Sequence, residues 1–430
     1  MALALPRERD MSTTTSFEYG RRELLEFLLL ISAAFVSCSM LASCAGSVSG
    51  SPTKPTTAPA PAQTVLPAFV NIRDYGAIGD NVHDDSPAIL AAVNAAFQAG
   101  INTVEFPPTT SYYRIGSPLV LPRPPISWMK LNLDGPLDLD ATVTIGGFYS
   151  IHGNGSYGQG AFSQDAQELI AVEPSVNPAF NVVGNAAHFS NLLLYFHMGG
   201  DGDGILLNGV CCITATNVSV TKTAGAGADV HITGGGFNYL FEKGVYGADG
   251  TGPSFEMDSP TNGSGTGFLA MRDVVLFGNG IQLNVRAQMS NFLFENVLFE
   301  GSQNAFLTIN GTQQPPPDSS SYVYNTRLDN IIMADPVPNP APPLIANNNA
   351  ATAGIQIYNS TVYSTAVSGD PIQDFEIWNG RDMTVGQTSG YVVHEPSGVF
   401  STMPVGNVPP PAALSRPSAP SVRRFMTEDR

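Results

Sequence analysis

Hydrophobic and polar residues alternate in short runs between residues 180 and 380, and turn-forming residues separate the runs. The runs GILLNG, DVHITG, GIQLNV, NFLFENVLF, AFLTIN and GIQIYN are rich in β-branched and aromatic side chains. Such period-two alternation predicts half-buried β-strands. In GIQLNV, it predicts that Ile281 and Leu283 face inward, while Gln282 and Asn284 face outward.

A second pattern repeats along the same part of the chain: one Asn or acidic residue flanked by apolar residues. It recurs in steps of 26, 25, 31, 23, 34 and 29 residues, at Asn191, Asn217, Glu242, Asp273, Asn296, Asn330 and Asn359. Steps of this length suit one turn of a parallel β-helix, in which equivalent residues stack about 4.8 Å apart. Stacked amides can hydrogen-bond to one another, and Asn tolerates the left-handed backbone of a tight bend. The pattern predicts an all-β solenoid with a structural Asn ladder.

One amphipathic helix is predicted ahead of these repeats, within residues 71–100. Asp84, Asp85 and Ser86 offer side-chain oxygens to the amides of a starting helix, and Pro87 suits its first turn. The apolar residues that follow have helical spacing and end before Gly100: Ile89, Leu90, Val93, Ala96 and Phe97. We expect this helix to cover the open end of the solenoid.

The stretch NIRDYGAIGDNVHDDSPAILAAVNAAFQAG resembles the N-terminal signature of the pectate-lyase-like superfamily, in particular its rhamnogalacturonase/epimerase-like pectate lyase domain. These right-handed parallel β-helix proteins include pectate lyases, polygalacturonases, rhamnogalacturonases, β-1,3-glucanases and phage tailspikes. The resemblance implies a single-stranded right-handed parallel β-helix at residues 68–403, capped by the amphipathic helix. It also implies that Asp80, Asp84 and Asp85 are structural. It says little about activity, because one fold hosts many functions.

The first 44 residues resemble an export signal. Arg21 and Arg22 precede an apolar run that Glu26 interrupts and small residues end. The tetrapeptide Leu41-Ala42-Ser43-Cys44 resembles a bacterial lipobox, which implies a lipid on Cys44 and a membrane anchor. The arginine pair also resembles a twin-arginine signal, and a cleaved signal peptide without lipid is the alternative. We therefore predict an exported outer-membrane or cell-surface lipoprotein, or otherwise a periplasmic or secreted protein.

Two segments of biased composition flank the predicted β-helix. Residues 45–67 are rich in Ser, Thr, Pro and Ala and predict a linker, and residues 404–430 predict a disordered tail. The whole chain has 43 Gly, 34 Pro and only 13% charged residues, as a turn-rich solenoid requires. A net charge of −17 argues against nucleic acid as a partner and leaves the oligomeric state open.

Cys211 and Cys212 are the cysteines outside the signal segment. Adjacent Cα atoms lie about 3.8 Å apart, below the usual range for an unstrained disulfide. We expect no bridge between them, and no metal-ligand spacing accompanies them. They are predicted to be small buried residues.

Members of the superfamily bind substrate along the outer face of one row of strands. Aligning the strands that follow the loops gives five candidate catalytic residues: Asp229, His231, Glu256, Asp258 and Arg286. Carboxylates on neighbouring turns would lie about 5 Å apart, and those two turns apart about 10 Å, which bracket the separations of retaining and inverting glycosidases. Asp229 with Glu256 or Asp258 would form an acid/base pair. His231 would orient or relay a proton, and Arg286 would bind a carboxylate or lower a neighbouring pKa. Strand faces that are exposed to solvent carry polar residues by default, so solvent exposure explains each of these residues as well as a catalytic role does.

Further residues surround this face. The candidate substrate-binding side chains are Asp203, Asn208, Gln282 and Asn284, with the loop aromatics Phe255, Tyr322 and Tyr324. A second outward row contains Arg272, Glu295 and Asp329. Ion pairing between Arg272 and Glu295 explains this row without a catalytic role.

The functional motifs of known relatives are absent. Residues 180–400 lack the polygalacturonase motifs and do not match the calcium-dependent pectate lyase pattern. No metal site is predicted, and calcium is a cofactor only if the protein is a lyase. Cations are few in the repeats, which favours neutral or weakly charged glycans. The sequence predicts an exported glycoside hydrolase or polysaccharide lyase acting on a plant or microbial polysaccharide. The alternative is a non-catalytic glycan-binding or structural surface lipoprotein.

Overall fold

The chain coils into stacked parallel strands behind one helix. The computed structural model describes residues 68–125, 128–154, 170–196, 200–222, 224–248, 250–258, 266–278, 280–286, 289–300, 304–309, 323–334, 342–348, 352–362, 366–370, 372, 375–378, 380, 392–394 and 400–401. The predicted export signal with Cys44, the linker and the tail lie outside the described residues. In the described part, no helix is long and apolar enough to cross a membrane.

The helix α1 spans Ser86–Ala99, after a 3₁₀ turn at Ile72–Tyr75. The first strands are β1 Val70–Asn71, β2 Thr103–Phe106, β3 Tyr113–Ile115, β4 Leu119–Leu121, β5 Met129–Leu133, β6 Leu137–Leu139, β7 Val143–Ile145, β8 Tyr149–Gly153, β9 Ile170–Val172, β10 Phe180–Val182 and β11 Ala187–Phe196. The middle strands are β12 Ile205–Asn208, β13 Cys211–Lys222, β14 Val230–Thr233, β15 Gly236–Glu242, β16 Val245–Ala248, β17 Phe255–Met257, β18 Thr266–Arg272, β19 Val275–Gly278, β20 Leu283–Val285, β21 Met289–Glu295 and β22 Leu298–Glu300. The last strands are β23 Leu307–Ile309, β24 Val323–Asp329, β25 Ile332–Ala334, β26 Ile345–Asn347, β27 Ala353–Tyr358, β28 Val367–Gly369, β29 Glu376–Trp378, β30 Val392–His394 and β31 Phe400–Ser401.

These strands form two sheets around one core. The ten-stranded sheet stacks β4, β7, β10, β12, β14, β17, β20, β23, β26 and β28 in parallel, one strand from each successive turn. The remaining 21 strands belong to a second sheet, in which β11 and β13 are long enough to pair with two strands of a neighbouring turn. Alternation places one side of each strand inside, as Phe255 and Met257 of β17 show. The predicted all-β parallel solenoid is confirmed.

The helix α1 covers the first turn of the coil. Its inward face, which includes Ile89, Val93 and Ala96, is fully buried, and Gly100 ends it in a left-handed conformation. The capping helix predicted from the sequence is confirmed. A terminal cap of this kind protects strand edges that would otherwise be open to pairing.

The acidic cluster before α1 is structural, as predicted, and Asp84 accepts a hydrogen bond from the first amide of the helix, that of Ser86, at 3.0 Å. Asp85 makes no capping bond and instead accepts hydrogen bonds from the amides of Ile78 (2.7 Å) and Gly79 (3.2 Å). Asp80 accepts bonds from the amides of Val82 and His83, which lower its pKa to about 2. The carboxylates therefore shape the turn that leads into the helix.

The Asn ladder is confirmed and corrected at one rung. Its members are all left-handed, with φ between 48° and 55°: Asn191, Asn217, Lys243, Asp273, Asn296, Asn330 and Asn359. Side-chain amides join neighbouring turns, for example Asn217 Nδ2 to Asn191 Oδ1 at 2.7 Å. The rung predicted at Glu242 is wrong, because Glu242 pairs in register with Arg272 and the bend falls on Lys243.

Replacing Asn296 with Ala is expected to lower the free energy of unfolding by about 2 kcal/mol. Asn296 donates to Asp273 Oδ1 (2.9 Å) and accepts from Asn330 Nδ2 (2.8 Å) in a left-handed backbone. Asn296→Gly keeps the backbone conformation and loses only the hydrogen bonds, so it should cost about half as much. Chemical denaturation measures both. Equal costs for the two variants would contradict a backbone contribution.

Two further predictions concern the large sheet. The ion-paired row is confirmed, with Arg272 Nε at 2.8 Å from Glu295 Oε2 and Arg327 at 2.7 Å from Asp329 Oδ2. The burial predicted for the cysteines is wrong: Cys212 is exposed and Cys211 half-buried, because the bend turns them toward the surface. The two thiols are free.

Candidate active site

A cluster of charged side chains lies on the outer face of the ten-stranded sheet, on β14 and β17 and next to the ends of β12, β17 and β20. Strand register places Leu206, His231, Glu256 and Asn284 in one outward row, one residue per turn. Neighbours in such a row are about 4.8 Å apart. Asp258 and Arg286 each follow the end of their strand on adjacent turns, where Asp258 N donates to Ile232 O and Arg286 N to Met257 O. Four of the five predicted catalytic residues therefore meet on one surface.

His231 is held between two carboxylates. Its Nδ1 lies 2.7 Å from Asp203 Oδ2, and its Nε2 lies 3.3 Å from Asp258 Oδ1. The contact with Asp203 is a hydrogen bond, whereas Nε2 has no hydrogen-bond partner among the described residues. The second oxygen of Asp203 accepts from Ala228 N at 2.8 Å, which fixes the carboxylate. The ring is thus oriented through Nδ1, and its buried Nε2 faces Asp258 Oδ1.

Arg286 contacts two of the three carboxylates of the cluster. Its guanidinium is hydrogen-bonded to Glu256 and lies 3.5 Å from Asp258 Oδ2. The five side chains carry three negative and two positive charges when His231 is protonated, so the site has a net charge of −1. Their side chains are 15% to 30% exposed, which leaves each reachable from solvent.

The cluster makes His231 a strong base. Burial opposes the imidazolium, but the hydrogen bond with Asp203 and the negative charges of Asp203 and Asp258 outweigh it and raise the pKa of His231 to about 9. Burial likewise opposes the ionised form of Asp258, but the nearby positive charge of His231 and a hydrogen bond with Thr233 outweigh it and lower its pKa. At neutral pH the site therefore presents a proton on His231 beside ionised Asp258.

We expect the stability of the protein to fall between pH 6.5 and pH 9 as His231 loses its proton. The folded-state pKa is raised above the ordinary 6.5 to about 9. The stabilisation is therefore complete below pH 6.5 and lost as the pH rises through 9, up to about 3 kcal/mol. Denaturation across this range, compared between wild type and His231→Gln, measures it. A pH dependence that the substitution leaves unchanged would contradict the assignment.

Three predicted site residues face the interior instead. Asp229 is 1% exposed, Gln282 is fully buried and bonded to Ser254 Oγ (2.9 Å), and Phe255 packs in the core. Asp229 and Gln282 occupy the bend before β14 and β20, where the alternation of the strand no longer applies. Phe255 begins β17 and makes edge contacts with Phe241 and Tyr246. Their assignment to the groove is wrong.

The remaining candidates have mixed outcomes. Asn208 is exposed at the end of β12, and Asn284 lies outward beside Glu256, so both border the cluster. Asp203 contacts His231 and so belongs to the cluster itself. Tyr322 lies outside the described residues, and of Tyr324 only its place in β24 is described. These substrate contacts stay predictions.

A glycine repeat beneath the cluster was missed in the sequence. Gly-x-Gly recurs at 200–202, 225–227, 250–252 and 278–280, in steps of 25, 25 and 28 residues. A Cβ on Gly227 would lie 2.3 Å from Gly202 O, and one on Gly252 would lie 2.2 Å from Gly227 O. The backbone of successive turns therefore approaches too closely for any side chain, at the corner from which β12, β14, β17 and β20 start.

One group of acids among the described residues has a spacing that suits a metal. Oxygen atoms of Asp138, Asp140 and Glu173 lie within 4.8 Å of one another. Arg114 Nε, however, donates a hydrogen bond to Asp140 Oδ2 at 2.6 Å, so the charge of this carboxylate is already paired with a guanidinium. We assign no metal to the group.

Fold and site together define a parallel β-helix protein with an acid–base cluster on its outer face. Several solved structures have similar folds. An exopolygalacturonase from Thermotoga maritima has a TM-score of 0.48 and 12% identity over 76% of this chain and 90% of that one. The Family 28 exopolygalacturonase of Yersinia enterocolitica has a TM-score of 0.43 and 14% identity over 76% and 77%. The A-module of the mannuronan C-5 epimerase AlgE6 from Azotobacter vinelandii has a TM-score of 0.39 and 16% identity over 74% of this chain and 100% of that one. The parallel pairing of the strands by itself confirms the predicted parallel β-helix.

Sequence similarity to curated proteins is confined to short segments. The chain is 54% identical over 41 residues to the mannuronan C5-epimerase AlgE1 of Azotobacter vinelandii and 49% identical over 47 residues to AlgE6. These segments cover 10% and 11% of this chain, and only 3% and 5% of the relatives. No protein-family model matches the chain.

Proposed function

We propose that the protein is a polysaccharide-active enzyme that hydrolyses a neutral or weakly charged glycan on the outer face of the ten-stranded sheet. The observation that carries the proposal is His231, held as an imidazolium between Asp203 and Asp258 with Glu256 next to it in register. Proton donor and carboxylate side by side are what cleavage of a glycosidic bond requires.

The roles follow from the contacts. His231 donates its proton to the glycosidic oxygen as the bond to the anomeric carbon breaks. Glu256 accepts a proton from the water that attacks this carbon, so the proton count balances. Asp203 holds the ring through Nδ1, and Arg286 offsets part of the negative charge of Glu256 and Asp258. General acid–base catalysis of this kind contributes about 10²–10⁴-fold to a rate.

The charge of the site favours a neutral substrate. An acidic polysaccharide needs a cation for its carboxylates, but Arg286 is bonded to Glu256 and Lys222 is 2% exposed. Elimination also depends on a substrate carboxylate that acidifies the neighbouring C–H bond. Hydrolysis therefore fits the cluster better than the lyase reaction. The names of the curated relatives, mannuronan C5-epimerases, support a polysaccharide as the class of substrate.

An activity screen tests the proposal. The full chain is incubated with a panel of neutral and acidic polysaccharides, with and without calcium, and both reducing ends and unsaturated products are measured. We expect new reducing ends without unsaturated products, and their loss in Glu256→Gln. Unsaturated products would identify a lyase instead, and cleavage that survives Glu256→Gln would remove Glu256 from the mechanism.

A second function, glycan binding or a structural role at the surface without catalysis, is favoured by one observation. All five charged side chains of the cluster contact an opposite charge, as in a structural ion network. Binding to a glycan without product release after long incubation would support it.

The location of the protein is part of the proposal. The lipobox-like segment supports export and a lipid anchor on Cys44, which would place the enzyme at the cell surface with access to polysaccharides. Labelling with a radioactive fatty acid in a bacterial host tests it. Wild type should be labelled and Cys44→Ala should not; equal labelling would exclude lipidation at Cys44.

A further inference from the structure

A buried lysine lies directly beneath the candidate site. Lys222 ends β13, where Val218 and Val220 face the core, and its inward alternation makes it 2% exposed. A lone ammonium in a core costs several kcal/mol unless its charge and all of its donors are compensated. Lys222 has a counter-charge and an acceptor for each of its N–H groups, and the residues that supply these acceptors connect it to His231.

All three N–H groups of Lys222 have an acceptor. Its Nζ donates to Gly202 O (2.8 Å), Gly227 O (2.9 Å) and Ala228 O (2.7 Å). A neutral amine has only two hydrogens and would direct its lone pair at a carbonyl oxygen, so three acceptors select the ammonium. The ring of Phe196 lies 4.8 Å from Nζ and adds a cation–π contact. Burial lowers the pKa of Lys222, and the charge of Asp229 opposes this shift.

Asp229 is the counter-charge of this lysine. Its Oδ1 lies 3.8 Å from Lys222 Nζ, and the residue is 1% exposed. Neither carboxylate oxygen has a hydrogen-bond partner among the described residues. Burial raises the pKa of Asp229, while the positive charge of Lys222 opposes this shift. Each charge therefore offsets part of the free-energy cost of burying the other in the core.

The acceptors of Lys222 belong to the two turns that hold Asp203. Gly202 precedes Asp203, so its carbonyl is part of the peptide that attaches Asp203 to the turn. Ala228, whose carbonyl binds Lys222, donates its amide to Asp203 Oδ1. Asp203 Oδ2 in turn binds His231 Nδ1. One side chain thus fixes the backbone on both sides of the carboxylate that orients His231.

We propose that Lys222, neutralised by Asp229, is a positioning residue that holds Asp203 against His231 by binding two adjacent turns from inside the coil. Lys222 does not touch substrate, and it acts through the Gly202–Asp203 peptide and Ala228. The proposal deepens the proposed function, because it concerns the same His231 cluster. Its test uses a property of His231 that is measurable in the absence of any substrate.

The test is an NMR titration of the histidines in the full chain. The sequence has six histidines, and His231→Gln identifies the signal of His231. In Lys222→Met/Asp229→Asn, which removes both buried charges, the pKa of His231 should fall by about one unit or more, because the carboxylate is no longer held at hydrogen-bond distance. The double variant removes one positive and one negative charge together, so the net charge near His231 is unchanged and a fall of this size reports the loss of positioning. Lys130→Met, an exposed lysine of β5, is the matched control and should leave the pKa unchanged.

The outcomes are separable from those of the proposed function. A folded double variant in which His231 still titrates near pH 9 overturns the positioning role, whatever the enzyme activity. A lowered pKa supports it even if no glycan is cleaved. If the Met variant does not fold, Lys222→Gln/Asp229→Asn keeps amide donors for the carbonyls and should show a smaller fall; no fall in that variant also overturns the proposal. Where cleavage is measured, kcat should fall about tenfold or more with little change in KM.

Discussion

Replacing His231 with Gln is expected to lower glycan cleavage by about 10²–10⁴-fold, because the proposed general acid is lost. Glutamine fills a similar space and can donate to Asp203, so the strand and its neighbours should stay folded. The decrease should appear in kcat more than in KM, since the proton is transferred only in the transition state. Initial rates on the polysaccharide that the screen identifies, with circular dichroism of both proteins, measure the effect.

His83→Gln is the control for this substitution. His83 is exposed, lies beside Asp80 in the turn before α1, and is far along the chain from the cluster. It should leave the rate unchanged. A His231→Gln protein that cleaves the glycan as fast as wild type would rule out His231 as the acid and favour the binding function.

Replacing Gly227 with Ala is expected to destabilise the coil by about 3 kcal/mol or more, because the new methyl group meets backbone that cannot move aside. The added Cβ would lie 2.3 Å from Gly202 O and 2.5 Å from Asp201 O. The same shift would displace two of the carbonyls that bind Lys222. Thermal and chemical denaturation should show the loss, and a stability within about 0.5 kcal/mol of wild type would contradict it.

Gly267→Ala provides a matched control in another strand. The nearest atoms to a Cβ there are Phe237 Cβ at 3.8 Å and Ser290 Oγ at 3.9 Å, which is ordinary contact. We expect this change to alter stability by about 0.5 kcal/mol or less. A large cost at both glycines would mean that the close approach of the turns does not determine the effect.

The repeat pattern was readable because it depends on local chemistry. Asn recurs where each turn bends into the left-handed region, and the step between these residues equals the length of a turn. The single wrong rung, Glu242 in place of Lys243, arose where a lysine occupies the bend and the Asn signal is missing. The glycine repeat carried an equally regular spacing and was missed, although Gly-x-Gly at a fixed step is the signal of closely stacked backbone.

The candidate site was predicted well on strands and poorly at bends. His231 and Glu256 lie within strands, where alternation fixes the side that each residue faces, and the register then brings them together. Asp229 and Gln282 precede strands by one residue, where the backbone turns and directs them into the core. The pairing of His231 with Asp203, residues 28 positions apart, followed from the stacking of turns.

The parallel coil, its capping helix and the face that carries most of the charged cluster could all be predicted from local patterns, because period, turn chemistry and strand alternation are properties of short segments. The partners of His231, the bond between Arg286 and Glu256, and the pairing of Lys222 with Asp229 inside the core became visible in the folded chain. These contacts join different turns, so their distances depend on how each turn stacks on the next. A single repeat does not contain that information.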